Sequence, residues 1–238
     1  MGEASARSIG AKTLDHATTL EVMLRERFSC RAFRPEPVPR AIIERILRMA
    51  QRSASWCNSQ AWQLHITEGP ATERFRQALL AQIASKPEGD PDIAHPREYR
   101  GVYLQRRREC GFQLYNTLGI ARGDRQGYAK QGLENFRLFG APHVAIVTSD
   151  EALGPYGAVD CGSYVATFLV AAWACGVASI AQAALAQQAS FIHRFFDIGP
   201  DRLVVCGISF GFADEAHAAN SFRTTRASID EAVSWISE

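Results

Sequence analysis

Arg27, Ser29 and Arg31 stand at alternate positions, and among the residues able to do chemistry their spacing says most. In an extended segment alternate side chains point the same way, so the two guanidinium groups and the hydroxyl converge on one side. That set suits a phosphate joined to a polyol chain, which needs charge-assisted, bidentate donors beside a neutral one. Ser55, Asn58 and Gln60 follow in a polar loop. Carboxamides both donate and accept, as reading the edge of a heterocycle requires. Basic residues return late in the chain, in Asn220-Ser-Phe-Arg-Thr-Thr-Arg226. Taken singly, each group also reads as surface charge, ordinary loop or solvated tail; a short helix joining the first two makes them a pair.

Other chemistries find little support. No GxGxxG follows a strand, and GxxxxGK[ST] does not occur; the GxSxG match Gly207-Ile-Ser-Phe-Gly211 falls inside the apolar run 203–212 rather than at a strand-to-helix turn. The six histidines show no HExxH or paired ligand spacing, so no metal site is expected. Cys57 lacks a nearby His that would make it a nucleophile. What remains is chemistry carried by a bound organic cofactor, which the protein orients and tunes.

Composition sets the frame. A chain of 238 residues with 47% hydrophobic and 21% charged residues suits one sizeable globular domain. A net charge of +1 supplies no field for nucleic acid or anionic membrane, and Arg106-Arg107-Arg108 reads as a solvated helix face. The six cysteines lack metal or CxxC spacing and read as reduced, mostly buried thiols of a cytoplasmic protein. Met1–Lys12 has no apolar signal-peptide core, and the apolar run Tyr164–Ile180 is too short and too interrupted to span a bilayer.

The elements that must position these residues follow from periodicity. Residues 1–14 are expected to form a flexible tail, and residues 15–238 a single domain. Thr18 or Thr19 is expected to cap a helix through Glu21–Arg25. Pro35, Pro37 and Pro39 force an extended turn, after which Ile42, Ile43, Ile46, Leu47 and Ala50 mark an amphipathic helix ending near Ser53. Trp62–Thr67 alternates as a strand, placing His65 on its polar phase. Helices are expected over 71–84, 99–118, 129–138, 156–175 and 191–196, strands over 143–148 and 203–212, and a mobile loop over 85–97. Ser228 with Glu231 predicts the capping box of a last helix.

Arg27-x-Ser-x-Arg-x-Phe33, Pro37-Val-Pro39, a helix, and Ser55-x-x-Asn-x-Gln-x-Trp62 together resemble the N-terminal signature of the FMN-dependent nitroreductase family. The resemblance covers roughly residues 18–236 and is weakest in the middle. It implies an α+β, three-layer fold whose central, mostly antiparallel sheet is flanked by helices. It further implies a homodimer with each FMN held by both chains. The activity implied is NAD(P)H-dependent reduction of nitroaromatics, quinones or similar acceptors by a ping-pong mechanism. On this reading Arg27, Ser29, Arg31, Arg226 and Arg223 hold the phosphate. Ser55, Asn58 and Gln60 sit by the ribityl chain or ring, and Ala181, Gln182 and Ala183 bring backbone to the ring. No side chain is assigned as acid or base. Phe136 and Phe139 either face substrate or belong to the core. Ala54 and Ala61 stand where the family usually has Pro, and Ala178 where it has Gly. Reductive dehalogenation, flavin fragmentation, azoline dehydrogenation, or flavin holding without turnover are the alternatives.

Overall fold

The structure is a computed structural model that describes residues 15–237. Helix α1 is described from residue 15 to residue 26. After it come α2 (Arg40–Ala50), β1 (Trp62–Thr67), α3 (Pro70–Ser85), α4 (Gly101–Thr117) and α5 (Arg125–Leu133). The second half comprises β2 (His143–Asp150), α6 (Gly154–Ala174), β3 (Ala178–Gln182), α7 (Ala189–Phe196) and β4 (Arg202–Gly211). The strands form one sheet in the order β1-β2-β4-β3, and each of its pairings is antiparallel.

Strand β2 is buried on both faces, and its alternation sorts the two cores. Val144 and Ile146 pack with Phe75, Leu79 and Ile192 of α3 and α7. Ala145 and Val147 pack with Ile43 and Ile46 of α2 and with Tyr164 and Phe168 of α6. A bulge where Val147/Thr148 meets β4 shifts the register, so Val204 enters the first core while Ile208 and Phe210 enter the second. Two glycines permit the tight approaches: a side chain at Gly157 would strike Ser149, and one at Gly207 would strike Leu185.

Several boundaries differ from expectation. Neither Thr18 nor Thr19 starts α1, because the helix already runs at residue 15, and the Thr19 hydroxyl donates to Asp15 O, 2.9 Å away. The helix expected over 129–138 lies at Arg125–Leu133 instead; Asp124 caps it by accepting from Gly127 N, and Leu138 and Phe139 adopt left-handed φ. The capping box of Ser228 and Glu231 is present but supports only a single 3₁₀ turn, Ile229–Glu231. No disulfide joins the cysteines, and Cys57 is exposed rather than buried. The 1–14 tail lies outside the described residues. Helix α6 is by length and composition apolar enough to cross a membrane, yet one face of it is packed into the second core.

The Pro37-Val-Pro39 turn is tied down by a buried histidine. His143 Nε2 accepts from Val38 N–H at 2.9 Å, and Nδ1 faces the Thr67 carbonyl at 3.3 Å, which fixes the neutral tautomer with its proton on Nδ1. Burial pushes the pKa of His143 below its ordinary value. The unfolded chain therefore takes up this proton first, and the associated stability is present above about pH 6.5 and lost as pH falls toward the folded value. His65, also lowered by burial, acts in the same direction. His193 acts oppositely: burial works against its charge, but the hydrogen bond from Nε2 to Asp92 prevails and raises its pKa. The prediction is accordingly a difference. A His143→Gln variant loses less of its urea midpoint than wild type between pH 8 and pH 5.5; parallel losses would remove His143 from the account.

Candidate functional site

Residues 27–34 run extended beside the outer edge of β3. Ser29 bridges Ser179 in parallel, Cys30 N–H donates to Ser179 O at 3.2 Å, and the Cys30 side chain is fully buried. Its neighbours Ser29 and Arg31 turn outward, as the alternation requires. Asn220 locks this register: its Oδ1 accepts from Arg31 N at 2.8 Å, and its Nδ2 donates to the carbonyls of Ala32 and Asp214.

The outcome is a cavity of about 320 Å³ lined by Arg27, Ser29, Arg31, Arg223 and Arg226, with Thr224 and Cys110 beside them. Arg31 donates to Ser29 O at 3.1 Å, Arg223 lies over the Phe28 ring at 3.9 Å, and Arg226 donates to Thr224 Oγ1 at 2.9 Å. None of these four guanidinium groups forms an ion pair with a carboxylate among the described residues. Burial, and secondly the charge of Arg226, lowers the pKa of Arg27; burial also lowers that of Arg31. Like charges crowded in a half-desolvated cavity call for an anion of high charge, and planar forks suit phosphate. The Ser29 hydroxyl has no partner among the described residues and remains available beside them. Past the Ser29–Ser179 bridge, β3 continues to the exposed Ala181, and the turn that follows the strand begins at the exposed Ala183. Between them the Gln182 side chain points inward, donating to Asn135 O at 2.9 Å and accepting from Ser209 Oγ.

Ser55, Asn58 and Gln60 lie elsewhere. Their loop carries the 3₁₀ turn Trp56–Asn58 and hangs on Asp160, in the N-terminal half of α6, whereas Ser29 pairs beyond that helix's C-terminal end. At 1.5 Å per residue the two groups are about 20 Å apart along α6. A separate cavity of about 230 Å³ adjoins this loop, walled by Trp56, Cys57, Ser59, Tyr156 and Asp160. One chain thus gathers the arginines and the β3 edge, but not the carboxamide loop. Phe136 and Phe139 both pack in the first core; Phe139 also borders an open groove of about 540 Å³ that Arg31 shares. Sequence reasoning missed Asn220 and the role of Asp160. A lone carboxylate within an apolar helix was the available signal for the latter.

The nitroreductase family model matches residues 24–212, and the chain belongs to that family. It is 34% identical over 222 residues to nitroreductase NfnB of Mycolicibacterium smegmatis, covering 92% of this chain and 93% of that one. A 4-nitrobenzoate reductase of Pseudomonas putida is 32% identical, over 87% of this chain and 90% of the relative. The crystal structure of the FMN-dependent NfnB from Mycobacterium smegmatis in complex with NADPH superposes with a TM-score of 0.88 at 32% identity, covering 93% of this chain and 99% of that one.

Proposed function

We propose that this protein is an FMN-dependent NAD(P)H oxidoreductase that reduces nitroaromatics or similar small acceptors in the cytoplasm, as a homodimer. The observation that carries the reading is the four-arginine cavity without a carboxylate partner among the described residues, which suits the phosphate of FMN in charge and donor type. Arg27, Arg31, Arg223 and Arg226 hold that phosphate, with the Ser29 hydroxyl beside it. The end of β3 at Ala181 and the turn at Ala183 offer backbone to the ring with only small side chains in the way. Bound FMN supplies the redox chemistry, taking electrons from a nicotinamide and giving them to the acceptor. The chain's own residues bind, orient and desolvate. Relatives named as nitroreductases and 4-nitrobenzoate reductases support nitroaromatics as the substrate class. Phe139 offers an aromatic wall for such a ring at the groove shared with Arg31.

The distance between the arginine cavity and the Ser55–Gln60 loop supports the dimer. A flavin touching both sets needs the loop of a second copy. The free cysteines favour a reducing compartment.

Purified protein should be yellow, with FMN released on heating at about one per chain, and should oxidise NAD(P)H when 4-nitrobenzoate is added. Colourless protein that takes up no FMN overturns the reading. Flavin without turnover of any nitroarene reduces it to a flavin-holding protein.

A further inference from the structure

We propose that Asp160 is a positioning residue for the flavin: it holds the Ser55–Gln60 loop in the conformation that presents the Asn58 carboxamide to the ring. The proposal rests on the FMN reading above and assigns a division of labour within its loop.

Of the four polar side chains in the loop, Ser55, Asn58, Ser59 and Gln60, only that of Asn58 makes no hydrogen bond among the described residues. Ser55 Oγ accepts from Gln60 N at 3.0 Å and closes the loop on itself. The Gln60 amide is held in a chain. Trp62 Nε1 donates to Gln51 Oε1 at 3.1 Å, Gln51 Nε2 donates to Gln60 Oε1 at 2.9 Å, and Gln60 Nε2 donates to Asn58 O at 3.3 Å. The exposed Asn58 carboxamide has no hydrogen bond among the described residues. It retains both donors and its acceptor for a heterocycle. Ser55 and Gln60 are therefore scaffold, and Asn58 is the reader.

That presentation is strained. Cys57, Asn58 and Gln60 have φ of 52°, 55° and 51°, a region that costs a residue with a Cβ free energy at each position. Such a loop persists only where its surroundings over-determine it. Asp160 supplies the hold: it is 7% exposed, and its carboxylate accepts from Trp56 N at 3.1 and 3.2 Å and from Ser59 Oγ at 3.1 Å. The two anchored residues bracket Cys57 and Asn58, so the strained pair is clamped from both sides. No cation pairs with Asp160 among the described residues; the loop's own donors satisfy this buried carboxylate. Removing it frees the loop to relax toward ordinary φ values and to swing Asn58 away.

The test titrates full-length protein with FMN and with riboflavin, and records the visible flavin spectrum and amide exchange at Trp56. Asp160→Ala should weaken both flavins by the same factor, about tenfold, shift the visible bands and speed Trp56 exchange. Asp160→Asn, which keeps one acceptor, should fall in between. Asn58→Gly, which removes the reader but relieves the strain, should weaken both flavins without lowering the unfolding temperature. If Asp160→Ala does not fold, Asp160→Asn and Ser59→Ala carry the same expectations at smaller size. Folded Asp160 variants with wild-type flavin affinities and spectrum overturn the proposal, as does Asn58→Gly that binds normally. Wild-type protein that binds no flavin overturns the FMN reading and this proposal together, whereas altered Asp160 variants of a flavin-binding wild type support both.

Discussion

Truncating Arg31 to alanine weakens FMN binding about tenfold to a hundredfold and leaves riboflavin, which lacks the phosphate, nearly unaffected. A hydrogen bond to a charged group contributes about 1.5–3 kcal/mol, and each 1.4 kcal/mol is about tenfold in affinity. Arg31 fits that range because its guanidinium is partly removed from water and is held by the Ser29 carbonyl and the face of Phe222, with no carboxylate partner among the described residues, so a phosphate gains a charge the fold has not neutralised. The same geometry fixes what happens without ligand. The cavity holds Arg27, Arg31, Arg223 and Arg226 close together, and removing one charge relieves repulsion. The apoprotein should consequently melt no lower in the variant than in wild type, while the FMN complex melts lower. Titration of both proteins with both ligands, with melting curves of the apo forms, decides the matter. Equal losses for FMN and riboflavin would show that Arg31 acts through the fold.

That asymmetry between affinity and stability also marks what was legible from residues alone. Alternation marks β1, apolar runs mark β2 and β4, and a period of 3.6 marks most helices, α2 most clearly, whereas the short β3 carries neither signal and was not expected as a strand. Periodicity failed where the chain departs from regular dihedrals. Helix α5 stops at Leu133, and Leu138 and Phe139 take left-handed φ, so an apolar spacing that suits a helix is used for an irregular connection into β2. Within the site, Arg27, Ser29 and Arg31 were visible because an extended segment makes alternation a spatial statement. Asn220 was not, since its role depends on two segments meeting from opposite ends of the chain: it accepts from Arg31 N and donates to Ala32 O. The same holds for Asp160 and Trp56, which no local pattern connects. Function read from spacing thus reaches the residues that touch a ligand before those that hold them in place.

Ala166→Glu should convert a dimer into monomers that have lost FMN, without unfolding the subunit. Not all of the apolar surface of α6 is open to a partner: Tyr164, Phe168, Ala171 and Ala172 are buried by the same chain, against α2 and the sheet. A carboxylate at Ala171 would simply disrupt the core. The uncovered stripe is another one. Pro155, Val159, Gly162 and Ala166 recur at helical spacing and are all exposed, and Trp56 and Tyr156, in edge contact at 4.6 Å, extend the patch onto the loop that carries Asn58. Small side chains along that line allow a second helix to approach closely, and a contiguous apolar patch of this kind marks an interaction surface. Glu at Ala166 meets water in the lone subunit, so its fold should be kept. In the dimer the same carboxylate would be desolvated without a partner, a cost of several kcal/mol. On the proposed dimer the arginine cavity and the Asn58 loop that completes it belong to different copies, so flavin should leave with the partner. Light scattering after size exclusion, with flavin absorbance on the same eluate, reads both effects at once. A wild-type monomer carrying one FMN, or an Ala166→Glu protein that remains a yellow dimer, would end the idea.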